Sequence, residues 1–470
     1  MPLSITFHGA AGMVTGSKHL IDLPNGKRLL LDCGMFQGEG RDSDAKNRRF
    51  GFDPRSIDVV VLSHAHIDHS GLLPRLVAEG FRGPIYATAP TRDLCAIMLE
   101  DSARIQESDF AFAQDRARAR GAAMDETEPL YTLDDIRPTL ALFQVVDYNE
   151  QFQLFPGVTF TFTDAGHILG SAAVHLSIDT PDGVRRITFS GDVGRYVDRL
   201  LPDPVPFPQA DVVICETTYG DRDHPQVQEM MEGFLAEVER TCVRQGGKLI
   251  IPAFSIGKTQ EILYTLNHLY NEGRLPRIPV FVDSPLSISA TAIYRSYSKL
   301  LQADVRAELV NDNDLFGFPG VEFVRKAERS KQLNQRQEPC IIIAASGMME
   351  AGRIRHHLLH HLPDERNTVL AVGFCAPGTL GADLIEGRRE VRIFGETVPV
   401  RASIVRMESY SAHADRNELL RFLACQDPAK VQRTFLVHGV HGSLHAFHDL
   451  LASKGYRNIA IPRQGECVEV

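Results

Sequence analysis

Asp58-Val59-Val60-Val61-Leu62-Ser63-His64-Ala65-His66-Ile67-Asp68-His69 joins an apolar strand directly to a set of metal-ligand side chains. A short buried strand here delivers four candidate ligands, His64, His66, Asp68 and His69, onto one tight loop. The amphipathic stretch Gly71-Leu72-Leu73-Pro74-Arg75-Leu76 then carries the chain away as a helix. Imidazole nitrogens and a carboxylate suit zinc and similar divalent ions. His64 and His66 alternate on one face of a strand end, and Asp68 and His69 lie on the following turn, so the loop can feed two adjacent metals. A lone histidine pair is more often a solvated loop or a packed core residue. Four ligands at this spacing, straight after a strand, point to a metal centre.

The chain of 470 residues is long enough for two or three folded units. Its hydrophobic content of 43% and charged content of 23% are those of an ordinary globular protein. The sequence shows neither a membrane-spanning apolar run nor a charged-then-apolar leader, which predicts a cytoplasmic protein with no membrane partner. Eight cysteines are dispersed with no CxxC pair, as expected of reduced packing residues. A net charge of -10 argues against a surface coated in basic residues for duplex DNA, but leaves room for a local basic groove.

Outward from the opening segment, the same design recurs. Leu3–Phe7 and His19–Leu23 alternate around a glycine turn and read as paired antiparallel strands. The strand at 28–31 ends in Asp32-Cys33-Gly34, that at 158–163 runs on to His167, that at 186–189 to Asp192, and that at 212–215 to Glu216. Residues 87–147 are largely helix-like between these strands. From about residue 221 the rhythm changes to alternating helix and strand, with strands at 248–252, 280–283, 340–344 and 368–372, which implies a parallel sheet covered by helices. Gly257-Lys258-Thr259 looks like the end of a phosphate-binding loop, but Pro252 occupies the position of its first glycine. A strand at 402–407 then restores the first style and leads to His413 and, after a further strand, to His438. The expected organisation is α/β: a metal-binding sandwich (1–218) interrupted by an inserted domain (219–400) and completed by a returning part (401–470).

Taken in order, Asp32, His64-Ala65-His66-Ile67-Asp68-His69, His167 and Asp192 resemble the motifs of the metallo-β-lactamase fold, an αββα sandwich. Glu216 in Glu-Thr-Thr-Tyr-Gly, His413 in Ser411-Ala412-His413-Ala414-Asp415 and His438 in Val-His-Gly resemble motifs A, B and C of its β-CASP branch, whose inserted domain carries a mainly parallel sheet. Pro252–Glu261, Asp283-Ser284-Pro285-Leu286, Ser346-Gly347-Met348 and Gly378-Thr379-Leu380-Gly381 extend the likeness over nearly the whole chain. Val440 departs from the acid usual after motif C, and Ala351 from a common glycine.

The resemblance implies a ribonuclease of RNA processing or decay, endonucleolytic, 5′-to-3′ exonucleolytic or both, with two Zn²⁺ per chain and a bridging hydroxide as nucleophile. His64, His66 and His167 would hold one ion, Asp68, His69 and His438 the other, with Asp192 between them. Two ions about 3.5–4 Å apart suit in-line attack on a phosphodiester. Asp32 would orient ligands, and His413, supported by Glu216, would protonate the leaving 3′ oxygen. Histidine at motif C goes with the RNA-processing members, so the expected partner is single-stranded RNA threading between the domains, with a homodimer compatible. Ser346, Gly347, Arg353 and Ser411 are the expected substrate contacts. The histidines of 356–361 would face a domain interface or the substrate. Competing expectations are a DNA-acting or small-molecule hydrolase of the same fold, a flavo-diiron oxidoreductase, and a non-catalytic processing scaffold.

Overall fold

A computed structural model of the chain describes residues 2–38, 41–120, 128–196, 198–224, 227–373, 375–376, 378–407 and 411–470. Ser409 and Tyr410, just before motif B, lie outside the described residues. In chain order, β1 (Ser4–Phe7), β2 (His19–Asp22), β3 (Arg28–Leu31), β4 (Val59–Val61), β5 (Ile85–Ala87) and β6 (Phe143–Val145) form one sheet. A second contains β7 (Phe152–Phe155), β8 (Val158–Asp164), β9 (Ala172–Thr180), β10 (Gly183–Phe189) and β11 (Val212–Glu216). The third begins with β12 (Lys248–Pro252), β13 (Val280–Val282), β14 (Val321–Phe323), β15 (Cys340–Ala344) and β16 (Thr368–Ala371). A hairpin of β17 (Glu390–Ile393) and β18 (Glu396–Pro399) follows. β19 (Ser403–Arg406) then joins the third sheet, β20 (Arg433–Val437) and β21 (Ile459–Ala460) the second, and β22 (Cys467–Glu469) the first.

The first two sheets pack face to face. Their shared core takes Ile5, Leu29, Leu31 and Val61 from one side and Phe160, Phe162, Val174, Phe189, Ile214 and Phe435 from the other. Period-two alternation explains β8: Val158, Phe160 and Phe162 are buried while Thr159 and Thr161 are partly exposed. In β3 and β4 the outward residues Leu30 and Val60 are buried as well, under the flanking helices. Strands covered on both faces read as unbroken apolar runs, which is why Val59-Val60-Val61 shows no alternation.

Among the described residues every strand pair of the third sheet is parallel, in the order β14-β13-β15-β12-β16-β19. The strand read at 402–407 is therefore β19 of this sheet, paired with β16, and not part of the returning sandwich. Its residues are only partly buried at a sheet edge, so their pattern carries no sign of which sheet they join. The 87–147 stretch contains the long helix Ala89–Arg120, but also the edge strand β6, whose short Phe-Gln-Val lacks a strand signature. Among the described residues no helix is long and apolar enough to cross a membrane.

Candidate metal centre and its acid pair

Parallel strands bring the ligand-bearing loops to one rim. β10, β11 and β20 are in register through Phe189, Ile214 and Phe435, so Asp192, Glu216 and His438 all emerge just beyond the same end of the sheet. β3 and β4 do the same for Asp32 and His64 in the facing sheet. Two glycines make the close approach possible. A Cβ on Gly34 would sit 1.6 Å from the carbonyl oxygen of Asp68, and one on Gly194 would sit 1.8 Å from that of Gly166.

Two groups of donors face each other. His66 Nδ1 lies 3.2 Å from His64 Nε2 and 3.1 Å from His167 Nε2. Beside them, His69 Nε2 lies 3.2 Å from His438 Nε2, which is 3.4 Å from Asp68 Oδ2. Asp192 stands between the two groups. Its Oδ2 is 3.4 Å from His64 Nε2 and 3.5 Å from His167 Nε2, while its Oδ1 is 3.3 Å from His69 Nε2 and 3.5 Å from His438 Nδ1. Asp192 is buried, yet Oδ1 has no hydrogen-bond partner. Imidazole nitrogens converging in pairs beside an orphaned buried carboxylate oxygen are costly as they stand and suited to cations.

Charge state supports that fit in the first group. In the second, burial would lower His69, but Asp192 and Asp32 outweigh it and raise the imidazole well above the usual range, so an ion there would displace a proton. Burial, reinforced by neighbouring histidines, holds His64 and His167 well below the usual histidine range and His66 at about 4, so all three offer neutral lone pairs near pH 7. Burial would raise Asp192, but the surrounding histidines, His438 and His69 foremost, outweigh it and keep the group a carboxylate. The donors therefore fit two adjacent divalent ions, one nitrogen-rich and one with an extra acid.

Asp32 is buried behind the second group and touches it through His69, without facing the space between the donors. Its Oδ2 receives His69 Nδ1 at 2.6 Å and the hydroxyls of Ser63 at 2.9 Å and Ser17 at 3.2 Å, and its Oδ1 receives the Ser63 amide at 2.8 Å. Held by Nδ1, the His69 ring turns Nε2 toward His438 and Asp192. His167 Nδ1 is held likewise by the Ala412 carbonyl at 3.1 Å, and His438 Nδ1 by Thr218 Oγ1 at 3.0 Å. Ser17, Ser63 and Thr218 were not singled out in the sequence, because a hydroxyl beside a ligand has no spacing of its own.

Glu216 and His413 form a separate pair. Glu216 Oε1 lies 3.1 Å from His413 Nδ1 and also accepts the Val193 amide, while Oε2 accepts the Thr218 amide. With both oxygens engaged, Glu216 is a hydrogen-bond partner of His413, and with Asp192, His413 and His438 it forms a third donor group of metal-binding size. Burial would lower His413, but the carboxylates of Glu216 and Asp192 more than offset it and push the imidazole up to about 9.

The expected substrate contacts fare unequally. Ser411 lines the cavity beside His413 and accepts the His413 amide at 3.3 Å. Ser346 Oγ instead accepts the Ala351 amide and closes its own loop. Arg353 is occupied inside the inserted domain by Asp283 at 2.5 Å and the carbonyls of Val324 and Arg325, so it does not reach the cavity. Of the 356–361 histidines, His357 is buried between Asn334 and Asp283 and His361 is buried beside it; these two are core residues, not substrate-facing ones. Val440, exposed, precedes the helix His441–Ser453.

Residues 16–224 match the metallo-beta-lactamase superfamily model, 259–384 the Beta-Casp domain, and 397–462 the Zn-dependent metallo-hydrolase RNA specificity domain. The chain is 40% identical to Ribonuclease TTHA0252 of Thermus thermophilus, over 98% of this chain and 99% of that one. It is 32% identical to an RNase J-like protein of Methanocaldococcus jannaschii, over 93% and 92% of the two chains. Transcription termination factor FttA of the same organism is 30% identical, over all of this chain and 72% of its own. A crystal structure of a protein of unknown function from Enterococcus faecalis V583 shares the fold over the full length of both chains, at a TM-score of 0.52 and 12% identity.

Proposed function

This chain belongs to the metallo-β-lactamase/β-CASP family of zinc-dependent, RNA-specific ribonucleases, and from that premise we propose that it hydrolyses single-stranded RNA with two zinc ions held across Asp192. The observation that carries the reading is the split of Asp192: one oxygen faces His64 and His167, the other His69 and His438. Asp68 completes the second group, and His66 the first.

Bound there, two divalent ions would activate a water and offset charge on the phosphate. Everything else is the work of side chains. Asp32, Ala412 and Thr218 keep the imidazoles aimed inward and fix which nitrogen carries the proton. His413, protonated at neutral pH, gives its proton to the leaving 3′ oxygen; Glu216 holds the ring and stabilises its charge. The products are a 5′-phosphate and a 3′-hydroxyl. The inserted domain closes over the site, which suits a linear polyanion lying in a cleft better than a small ester.

End-labelled single-stranded RNA and DNA, digested side by side, test the substrate. RNA should be cut in preference, and the label position separates internal cuts from 5′-end trimming. Metal analysis of the same preparation should find about two zinc ions per chain. Preference for DNA, or a stoichiometry near zero, would overturn the reading.

A further inference from the structure

The cavity holding the site, about 110 Å³, has two unlike walls. The sandwich contributes His66, Asp68, Asp192 and His413, whereas the inserted domain contributes Phe254, Ile256, Met348 and Gly373 together with one charged side chain, Lys258, which is ion-paired to Glu261. A phosphodiester belongs against the first wall. The second offers mainly apolar surface, which a phosphate or ribose hydroxyl gains little from and a nucleobase gains much from.

The second wall is built by three adjacent parallel strands. Phe254 follows the carboxyl end of β12, Gly347 that of β15 and Gly373 that of β16. Ligands of open α/β sheets bind beyond such strand ends. The Phe254 ring is seated on glycines. A Cβ on Gly347 would lie 2.8 Å from ring Cδ2 and 2.9 Å from Cε2, and one on Gly373 would lie 3.2 Å from Cε2. Neither glycine has left-handed backbone, so glycine serves these two positions by leaving room for the ring and not by freeing a turn. Phe254 is still partly exposed, toward the cavity. A ring backed by main chain and open toward a phosphodiester-cutting centre is arranged as a stacking platform.

We propose that Phe254 stacks on one base of the RNA strand and so sets the register of the scissile phosphodiester against His66, Asp68 and His413. The proposal rests on the ribonuclease reading above. Every base has a π-face, so the contact gives position without sequence preference. Phe254 is thus a substrate-positioning residue contributed by the inserted domain.

The test uses short RNAs carrying one abasic residue at successive positions. With the wild type, one position next to the cleaved bond should lower kcat/KM by on the order of 10-fold to 10²-fold, the usual worth of a base–aromatic stack. Phe254→Leu keeps an apolar side chain on the glycines and removes the ring. It should lose a similar factor on intact RNA and show no further loss from the abasic residue at that position, whereas Phe254→Tyr should retain the wild-type sensitivity. Zinc content and thermal midpoint, measured on each variant, confirm folding. Undiminished sensitivity to the abasic residue in Phe254→Leu, or wild-type kcat/KM on intact RNA, would overturn the proposal. Failure of the wild type to cut any RNA would instead overturn the ribonuclease reading.

Discussion

Glu216 and His413 are 197 residues apart in the chain and 3.1 Å apart in space, and the behaviour of each depends on the other. Burial would lower His413, and Glu216, with Asp192 and Asp68 beside it, more than offsets that and pushes it up to about 9. The sign for catalysis follows directly. The general acid is present below that value and lost above it, so cleavage limited by leaving-group protonation should be level through neutral pH and decline above about 9. Glu216→Gln keeps the shape and removes the first of the charges that raise His413, so the alkaline limb should shift to lower pH. His413→Ala should lower cleavage by on the order of 10²-fold or more while zinc content stays unchanged. A pH–rate profile of the three proteins, paired with metal analysis, checks both. An alkaline limb that stays in place in Glu216→Gln would show that some other group sets it.

At the scale of elements, the inserted domain is tied together by Asp283, which follows β13 and is fully buried. It accepts Ser330 Oγ at 2.5 Å from one helix, Arg353 Nη1 at 2.5 Å from the loop after β15, and His357 Nε2 at 2.8 Å from the next helix. Burial would raise its carboxyl, but the bonds from His357, Ser330 and Arg353 outweigh that and hold it below the usual carboxylate range. A folded pKa below the unfolded value of about 3.9 means the contribution to stability is complete above that pH and fades as pH falls through the depressed folded value. Asp283→Asn leaves the Arg353 charge without its partner, so urea unfolding at pH 7 should show a loss of about 3–5 kcal/mol. The gap between variant and wild type should narrow below about pH 4. This network also shows where sequence reasoning stops. The metal loop is legible because four ligands fall in one six-residue span, 64–69, just after a strand, and motifs at later strand ends repeat the design. A basic residue near a glycine loop suits phosphate, so the sequence points Arg353 at the substrate and the histidines after it at a domain interface or the substrate, while the partner of Arg353 and His357, Asp283, lies 70 and 74 residues away. Phe254 was quoted without a role, since one aromatic residue after a buried strand looks the same whether it faces core or cavity.

Across the whole molecule, the sandwich and the inserted domain share a core instead of meeting at a polar seam. Leu94, Ile168 and Leu169 of the sandwich cluster with Ile256, Ile288 and Tyr294 of the insertion. At the centre of that contact the Tyr294 hydroxyl accepts the amide of Leu169 at 3.1 Å, two residues from the candidate ligand His167. Gly257 approaches the same turn: a Cβ there would lie 2.9 Å from Ile168 Cγ2, and its φ of +83° already favours glycine. Farther out, Tyr297 donates to Asp93 at 2.6 Å and clamps the helix Pro285–Ser296 to the long helix Ala89–Arg120. The wall that carries Phe254 is therefore held against the wall that carries the metals by contacts at the root of the His167 loop. Tyr294→Phe keeps the ring packing and deletes one acceptor, leaving a buried amide unpaired at a cost of about 1–3 kcal/mol. If the two walls work on one strand, that loosening should weaken RNA cleavage, read as kcat/KM, more than it weakens hydrolysis of a small phosphodiester such as bis(p-nitrophenyl) phosphate, which needs the metal wall alone. Equal losses on both substrates would mean that Tyr294 acts through His167 and the metals; a larger loss on RNA would mean that it acts through the distance between the walls.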